Sequence, residues 1–309
     1  MMKSKLMMMA AIAALGMTIV SCSSDNEKFS DDVQPGKAHV RLVCGMGVSV
    51  SPMTRAALSA NGKQLTDLYV MDYDKNTGKL LQVLHQTSMA ADFAEPDLTL
   101  DYGEHVLKVV ATRSQEPTLW DAGNNTWQVN PNILTPITST HPVMLTSSKT
   151  SDTFGAEKEV SVGIGTATTV SIALDRLVAK LVLNSTDVFP DDCTTITIDL
   201  QEYSTLLWTT MDVTEAANSQ RVADVSSLRG TTGTVLNYFV LAPKDGYQTD
   251  ITLTTNRAEG NPYSTITVPS VKLERNKVTT ISGPIYRHGQ GFQVTVNDTW
   301  GNEGHDINI

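Results

Sequence analysis

Basic residues are scarce in this chain and nowhere grouped: 23 Lys and Arg stand against 33 Asp and Glu, a formal charge of −10 over 309 residues. A nucleic-acid surface needs clustered cations to neutralise phosphates and release counterions, so DNA and RNA are excluded as partners. Histidines are few as well. The six, His39, His85, His105, His141, His288 and His305, show no H-x-x-x-H, H-x-H or Cys/His spacing that would put metal ligands on one face. There is no G-x-S-x-G and no P-loop, and Gly45 and Gly47 lie inside an alternating run rather than ahead of a helix. Asp72-Tyr73-Asp74-Lys75-Asn76-Thr77-Gly78 opens like a calcium loop, but its Gly falls one place late and Val83 stands where the closing Glu belongs. It reads as a hairpin turn. The expectation is therefore a protein that is not an enzyme, with no catalytic residue, no metal and no cofactor. Cysteine is also rare, three in all. Cys44 and Cys193 are far apart in the chain and read as small buried hydrophobes rather than as a disulfide.

What is abundant is β-branched: 39 Thr and 29 Val. A helix restricts the χ1 rotation of both, whereas a pleated strand accommodates it, so the composition points to an all-β fold. Only one long apolar run occurs, Leu6 to Val20, preceded by Lys3 and Lys5 and followed by Ser21-Cys22. It is too short to span a bilayer and has the layout of a secretory signal over residues 1–21. Ile19-Val20-Ser21-Cys22 resembles the bacterial lipobox, in which the Cys is lipidated and becomes the first mature residue. The acidic stretch Ser23-Ser24-Asp25-Asn26-Glu27 resembles the surface-export signal of Bacteroidetes lipoproteins. Cleavage would leave 21 basic residues against the 33 acids, a charge of −12, so lipid on Cys22 rather than electrostatics would hold the chain to a membrane. Residues 22–36, rich in Ser, Asp, Asn and Glu, read as a flexible tether.

From His39 the pattern changes. Val40, Leu42, Cys44, Met46, Val48 and Val50 are apolar at every second position, a spacing that only a strand turns into one face. Further strands are expected at Leu65–Tyr73, Leu80–Gln86, Leu98–Asp101, His105–Thr112, Val143–Thr146, Glu159–Ile164 and Thr169–Leu174. The second half offers Leu177–Asn184, Thr195–Tyr203, Val235–Ala242, Asp250–Thr255, Tyr263–Leu273, Lys277–Ile285 and Phe292–Asn297. Residues 113–141, with three prolines and no clean period, read as a long loop or insertion. Short strands at this spacing suggest sandwiches, and the length suits two domains, 37–172 and 173–309.

Several segments taken in order carry a family resemblance: Leu68-Tyr69-Val70-Met71-Asp72-Tyr73, Leu100-Asp101-Tyr102-Gly103-Glu104-His105, Leu174-Asp175-Arg176-Leu177-Val178-Ala179-Lys180-Leu181, Arg275-Asn276-Lys277-Val278-Thr279, Ser282-Gly283 and Val296-Asn297-Asp298-Thr299-Trp300. With the lipobox and its acidic tether they resemble the Bacteroidales fimbrillins over nearly the whole chain. The resemblance implies two tandem transthyretin-like, Greek-key β-sandwich domains in a lipoprotein precursor at the outer membrane and cell surface. It also implies a stalk, tip or anchor role in a type V pilus, with other fimbrial subunits as partners and a host or bacterial surface receptor as a target of adhesion. In polymerising members an arginine-specific protease removes the lipidated first strand and a neighbouring subunit fills the vacated groove. Anchor subunits keep their lipid and are not cut.

The residues fit that scheme independently. Val40 to Val50 form a separable strand between the tether and the loop Ser51–Arg55, whose Arg55 is the candidate processing site. Burying its six apolar side chains at roughly 1.5–3 kcal/mol each gives about 9–18 kcal/mol before ordering entropy. Phe292, Val294 and Val296 repeat the alternation near the C-terminus and form a candidate donor strand, or equally one that closes the last sheet. Trp120 and Trp127 flank Asp121–Thr126 and offer two aromatic faces to a sugar, the basis of a rival reading as an outer-membrane glycan-binding lipoprotein.

Overall fold

Alternation becomes a strand wherever one face is buried, and the computed structural model is all-β with a single 3-10 turn, Ser226–Leu228, among its described residues. Those residues are 36–46, 59–60, 63–112, 118–120, 144–146, 152–164, 168–207, 210–286 and 291–297. Cys22, Val48, Val50, Arg55 and Trp127 lie outside them, and Met46 and Trp120 are described by backbone alone. The first stretch holds β1 (Lys37–Met46), the two-residue pair β2 (Ser59–Ala60) and β3 (Lys63–Gln64), β4 (Asp67–Asp74), β5 (Leu80–Thr87), β6 (Asp97–Asp101) and β7 (Gly103–Thr112). Then come β8 (Thr118–Trp120), β9 (Met144–Thr146), β10 (Thr153–Val162) and β11 (Thr168–Arg176). The rest is β12 (Val178–Ser185), β13 (Cys193–Leu207), β14 (Asp212–Asp224), β15 (Gly233–Leu241), β16 (Tyr247–Arg257), β17 (Pro262–Leu273), β18 (Val278–Gly283) and β19 (Gln293–Asn297).

Two large sheets result. The first runs β5-β4-β7-β10-β11-β1-β6, and the second β17-β16-β13-β15-β12-β18-β19 with β14 on the flank of β13. Each contains one parallel pair, β1 with β11 and β12 with β18. The first sheet curls so that Val40, Leu42 and Cys44 of β1 share a core with Leu68 and Val70 of β4, Leu107 and Val109 of β7, and Ile172 and Leu174 of β11. A separate core gathers Leu181, Leu183, Ile196, Ile198, Val240, Leu253 and Val271 of the second sheet.

A third core explains why Leu68-Tyr69-Val70-Met71-Asp72-Tyr73 is buried without a break. Its even-numbered residues face the first core, while Tyr69, Met71 and Tyr73 point the other way and meet Leu206, Phe239 and Leu241 of the second sheet. A strand covered on both faces loses its alternation. At this junction Gly155 packs closely, since a Cβ there would lie 2.7 Å from Met211 Cε, 2.8 Å from Leu177 Cδ1 and 3.0 Å from the Val109 carbonyl oxygen. Alongside, Arg176 donates to both oxygens of the fully buried Asp152 carboxylate at 2.6 and 2.9 Å, to Asn276 Oδ1 at 3.2 Å, and lies over the Phe154 ring.

Three expectations need correction. The irregular insertion contains a strand, because Thr118–Trp120 pairs with Met144–Thr146, and β9 in turn pairs with Thr205–Leu207 of β13 in the second sheet. The strand expected from Glu159 begins six residues earlier, at Thr153. An entire strand, β14, has no apolar alternation to announce it. It is an edge strand with residues 216–218 exposed, held by a long antiparallel ladder to β13.

Candidate functional site

The site is a strand and its seat. β1 lies between β11 and β6: the parallel ladder runs from Val40 opposite Thr168 to Met46 opposite Leu174, and the antiparallel one from Lys37 opposite Asp101 to Arg41 opposite Asp97. Where β6 ends, the loop before it takes over. Leu42 N–H donates to Pro96 C=O and Cys44 N–H to Ala94 C=O, each at 2.9 Å, the latter from a residue held at φ 76°. Both backbone edges of the strand are thus satisfied.

The side chains follow the alternation. Val40, Leu42 and Cys44 expose no surface, while Arg41 is exposed and pairs with Glu95. Lys37 adds an ion pair with Asp101 at 3.5 Å. One departure was hidden in the sequence: Val43, on the outward register, is only 6 % exposed, so the second half of β1 is covered on both sides. Burial pushes the Cys44 thiol up to about 12, with Glu95 adding to the effect, so it stays neutral and inert. Cys44 and Cys193 are both free and lie in different cores. Val40 and Leu42 alone contribute roughly 3–6 kcal/mol of burial at the ordinary worth of such side chains.

At the other end of the described chain β19 pairs, among the described residues, with β18 alone, from Gln293 opposite Ser282 to Asn297 opposite Val278. It adds little to the core: Val294 is 40 % exposed, Val296 half-buried, and Phe292 is the one apolar side chain packed inward. The Phe292 ring lies so close over Gly283 that a Cβ there would come within 2.5 Å of it.

Other chemistry is sparse. Asp72 and His105 form a pair at 2.7 Å, with His105 Nε2 donating to Asp101 C=O at 2.8 Å, but their side chains are 2 % and 3 % exposed and no substrate reaches them. The pair ties β4 to the turn between β6 and β7. In the calcium-like loop Asp74 Oδ1 accepts from Asn76 N, Thr77 N and Thr77 Oγ1 at 3.0, 2.7 and 2.8 Å, and Gly78 takes φ 67°. These bonds, chiefly those from Thr77, hold its carboxyl below the usual range. Asp74 serves the hairpin turn. Among the described residues no three His, Cys, Asp or Glu side chains converge as a metal would require. Trp120 sits in β8 beside the second sheet.

The model of a family of unknown function, DUF6562, matches residues 121–309. No curated protein matches the chain in sequence. Similar folds occur among solved structures from Bacteroidales. A protein of Bacteroides thetaiotaomicron provisionally named as polysaccharide binding superposes with TM-score 0.55 at 11 % identity, over 84 % of this chain and 96 % of that one. A provisionally named adhesin of the same species gives 0.53 at 12 %, over 86 % and 98 %. The fimbrial anchor protein Mfa2 of Porphyromonas gingivalis gives 0.50 at 10 %, over 85 % and 98 %. The likeness is one of fold, shared with these three proteins over most of both chains.

Proposed function

This chain belongs to the DUF6562 family, which carries no assigned function, and from that premise we propose that it is a subunit or accessory component of a cell-surface fimbria that acts in adhesion. The observation that carries the proposal is the seating of β1. It is a ten-residue strand inserted between β11 and β6, with its apolar side chains in a continuous core. Removing such a strand would uncover the β11 edge and apolar pockets together, and an added strand recovers both by main-chain pairing and side-chain insertion. In this reading Cys22 carries the lipid at the outer membrane, the two sheets are two transthyretin-like sandwich domains bounded near residue 172, and cleavage after Arg55 frees β1. Other fimbrial subunits are then the partners. The exposed, weakly packed β19 with Phe292, Val294 and Val296 is the candidate donor.

Limited trypsin digestion of a soluble form beginning at Ser23, followed by intact mass and unheated SDS electrophoresis, tests it. Early cleavage after Arg55 with SDS-resistant ladders is the expected result. A chain that is cut there and stays monomeric would contradict assembly through β1.

A further inference from the structure

The outward face of the second sheet carries a feature that fimbrial assembly does not use. β13 pairs with β16 from Cys193 to Asp199 and then diverges from it. Where the ladder stops, Gln201 N–H donates to the Thr249 hydroxyl at 3.1 Å instead of to a main-chain carbonyl. The β16–β17 register shifts at the same level, between Thr249 and Ile251, and Ser270 takes φ 54°. The divergence opens a trough of about 790 Å³, bordered by Asp199 and Gln201 of β13, Asn218 and Gln220 of β14, and Asp250 and Ser270 across the gap.

We propose that this trough binds a neutral glycan. Its chemistry selects the ligand. Each amide of Gln201, Asn218 and Gln220 offers donors and an acceptor, and each carboxylate only acceptors, which is the complement of sugar hydroxyls that both donate and accept. The size lies within the range of small-ligand sites, but the mainly polar wall offers little to an apolar ligand. Charge narrows the class further. No Lys or Arg borders the trough, whereas two Asp do, so sulfated or uronic polymers are repelled. The nearest cation by register, Lys272 opposite Gln248, is already paired with Glu274 at 2.9 Å.

The groups are also pre-set. Asp199 Oδ1 accepts from Gln220 Nε2 and Asp250 Oδ1 from Ser270 N–H, both at 2.8 Å, which fixes the carboxylates and leaves the second oxygen of each for a ligand. Beyond the trough the same face continues as rows of short polar side chains. Thr252 bonds Thr267 at 2.9 Å, Thr254 bonds Thr265 at 3.3 Å, and Asn256 reaches Thr195 and Thr197 at 3.2 Å each. Adjacent strands set these rows about 4.8 Å apart, close to the span of one sugar ring, so a chain leaving the trough keeps finding partners.

This inference rests on the adhesion part of the reading above and is independent of strand exchange. The test uses the full-length chain in a polyoxyethylene detergent, run in native gels that contain dextran, mannan, laminarin or galactan, with heparin as the anionic control. At least one neutral polysaccharide is expected to retard the chain, and heparin not to. Gln201→Ala with Asn218→Ala, two exposed positions, should weaken retention at least tenfold at an unchanged melting temperature, and Asn218→Lys alone should do the same by blocking the trough. Trp120→Ala with Trp127→Ala should leave retention intact. No retardation by any neutral polymer, or retention unchanged in the trough variants, overturns the inference. Ladder formation in the trypsin assay is read separately, so intact ladders without glycan retention sink this inference alone.

Discussion

Leu42 shows how much one side chain of β1 carries. It exposes no surface, its N–H bonds Pro96, and its neighbours come from β4, β6, β7 and β11. Leu42→Ala leaves a cavity lined from several strands that cannot all collapse onto it, and should lower stability by about 2–5 kcal/mol in urea unfolding. Arg41 one position earlier is exposed, and Arg41→Ala should change stability by less than about 1 kcal/mol, because its pair with Glu95 is open to solvent. Equal effects of the two substitutions would mean that β1 is held by its surface and not by its pockets. Both roles were legible from the period of two. Val43 was not, since its burial comes from a covering on the outer face that nothing local encodes.

At the scale of the strand, β1 and β19 differ in what anchors them. β1 has two ladders and a row of buried side chains, whereas β19 has one ladder and Phe292. Gly283→Ala would drive its methyl group into the Phe292 ring and lift that anchor. Amide exchange at Val294 and Val296 should quicken at least tenfold in this variant while Val40 and Leu42 remain protected, as read by hydrogen exchange and mass spectrometry. Unchanged exchange would show that the β18 ladder alone holds β19. The strands legible in the sequence were those with one apolar face or, like β4 and β12, a continuous apolar run. β14 escaped because Ala216-Ala217-Asn218-Ser219-Gln220 buries no apolar face and is held through its backbone, which leaves no trace in side-chain pattern. The trough escaped for the same reason: it depends on β14, and on where β13 and β16 part, a property of register rather than of any motif.

Over the whole molecule the third core decides how the two sheets behave. Tyr69, Met71, Tyr73 and Val110 from the first pack with Leu206, Phe239 and Leu241 from the second and with Leu177 between β11 and β12, so neither sheet can unfold without exposing the other's apolar surface. The chain should therefore melt in a single transition. Leu241→Asp, which buries an unpaired carboxyl in that core, should split the transition or shift it down by well over 5 °C. A wild-type chain that already melts in two steps would show that the junction contributes little. Departure of β1 from its seat would be reported by the strand's own thiol. In a form beginning at Ser23, Cys44 and Cys193 are the only cysteines, both buried, one on β1 and one in the other core. Alkylation followed by intact mass, before and after cleavage at Arg55, separates the two. Neither thiol is expected to react in the uncut chain, and cleavage is expected to expose Cys44 alone, while Cys193 stays protected. Cys44 remaining protected after cleavage, or both thiols reacting together, would contradict it.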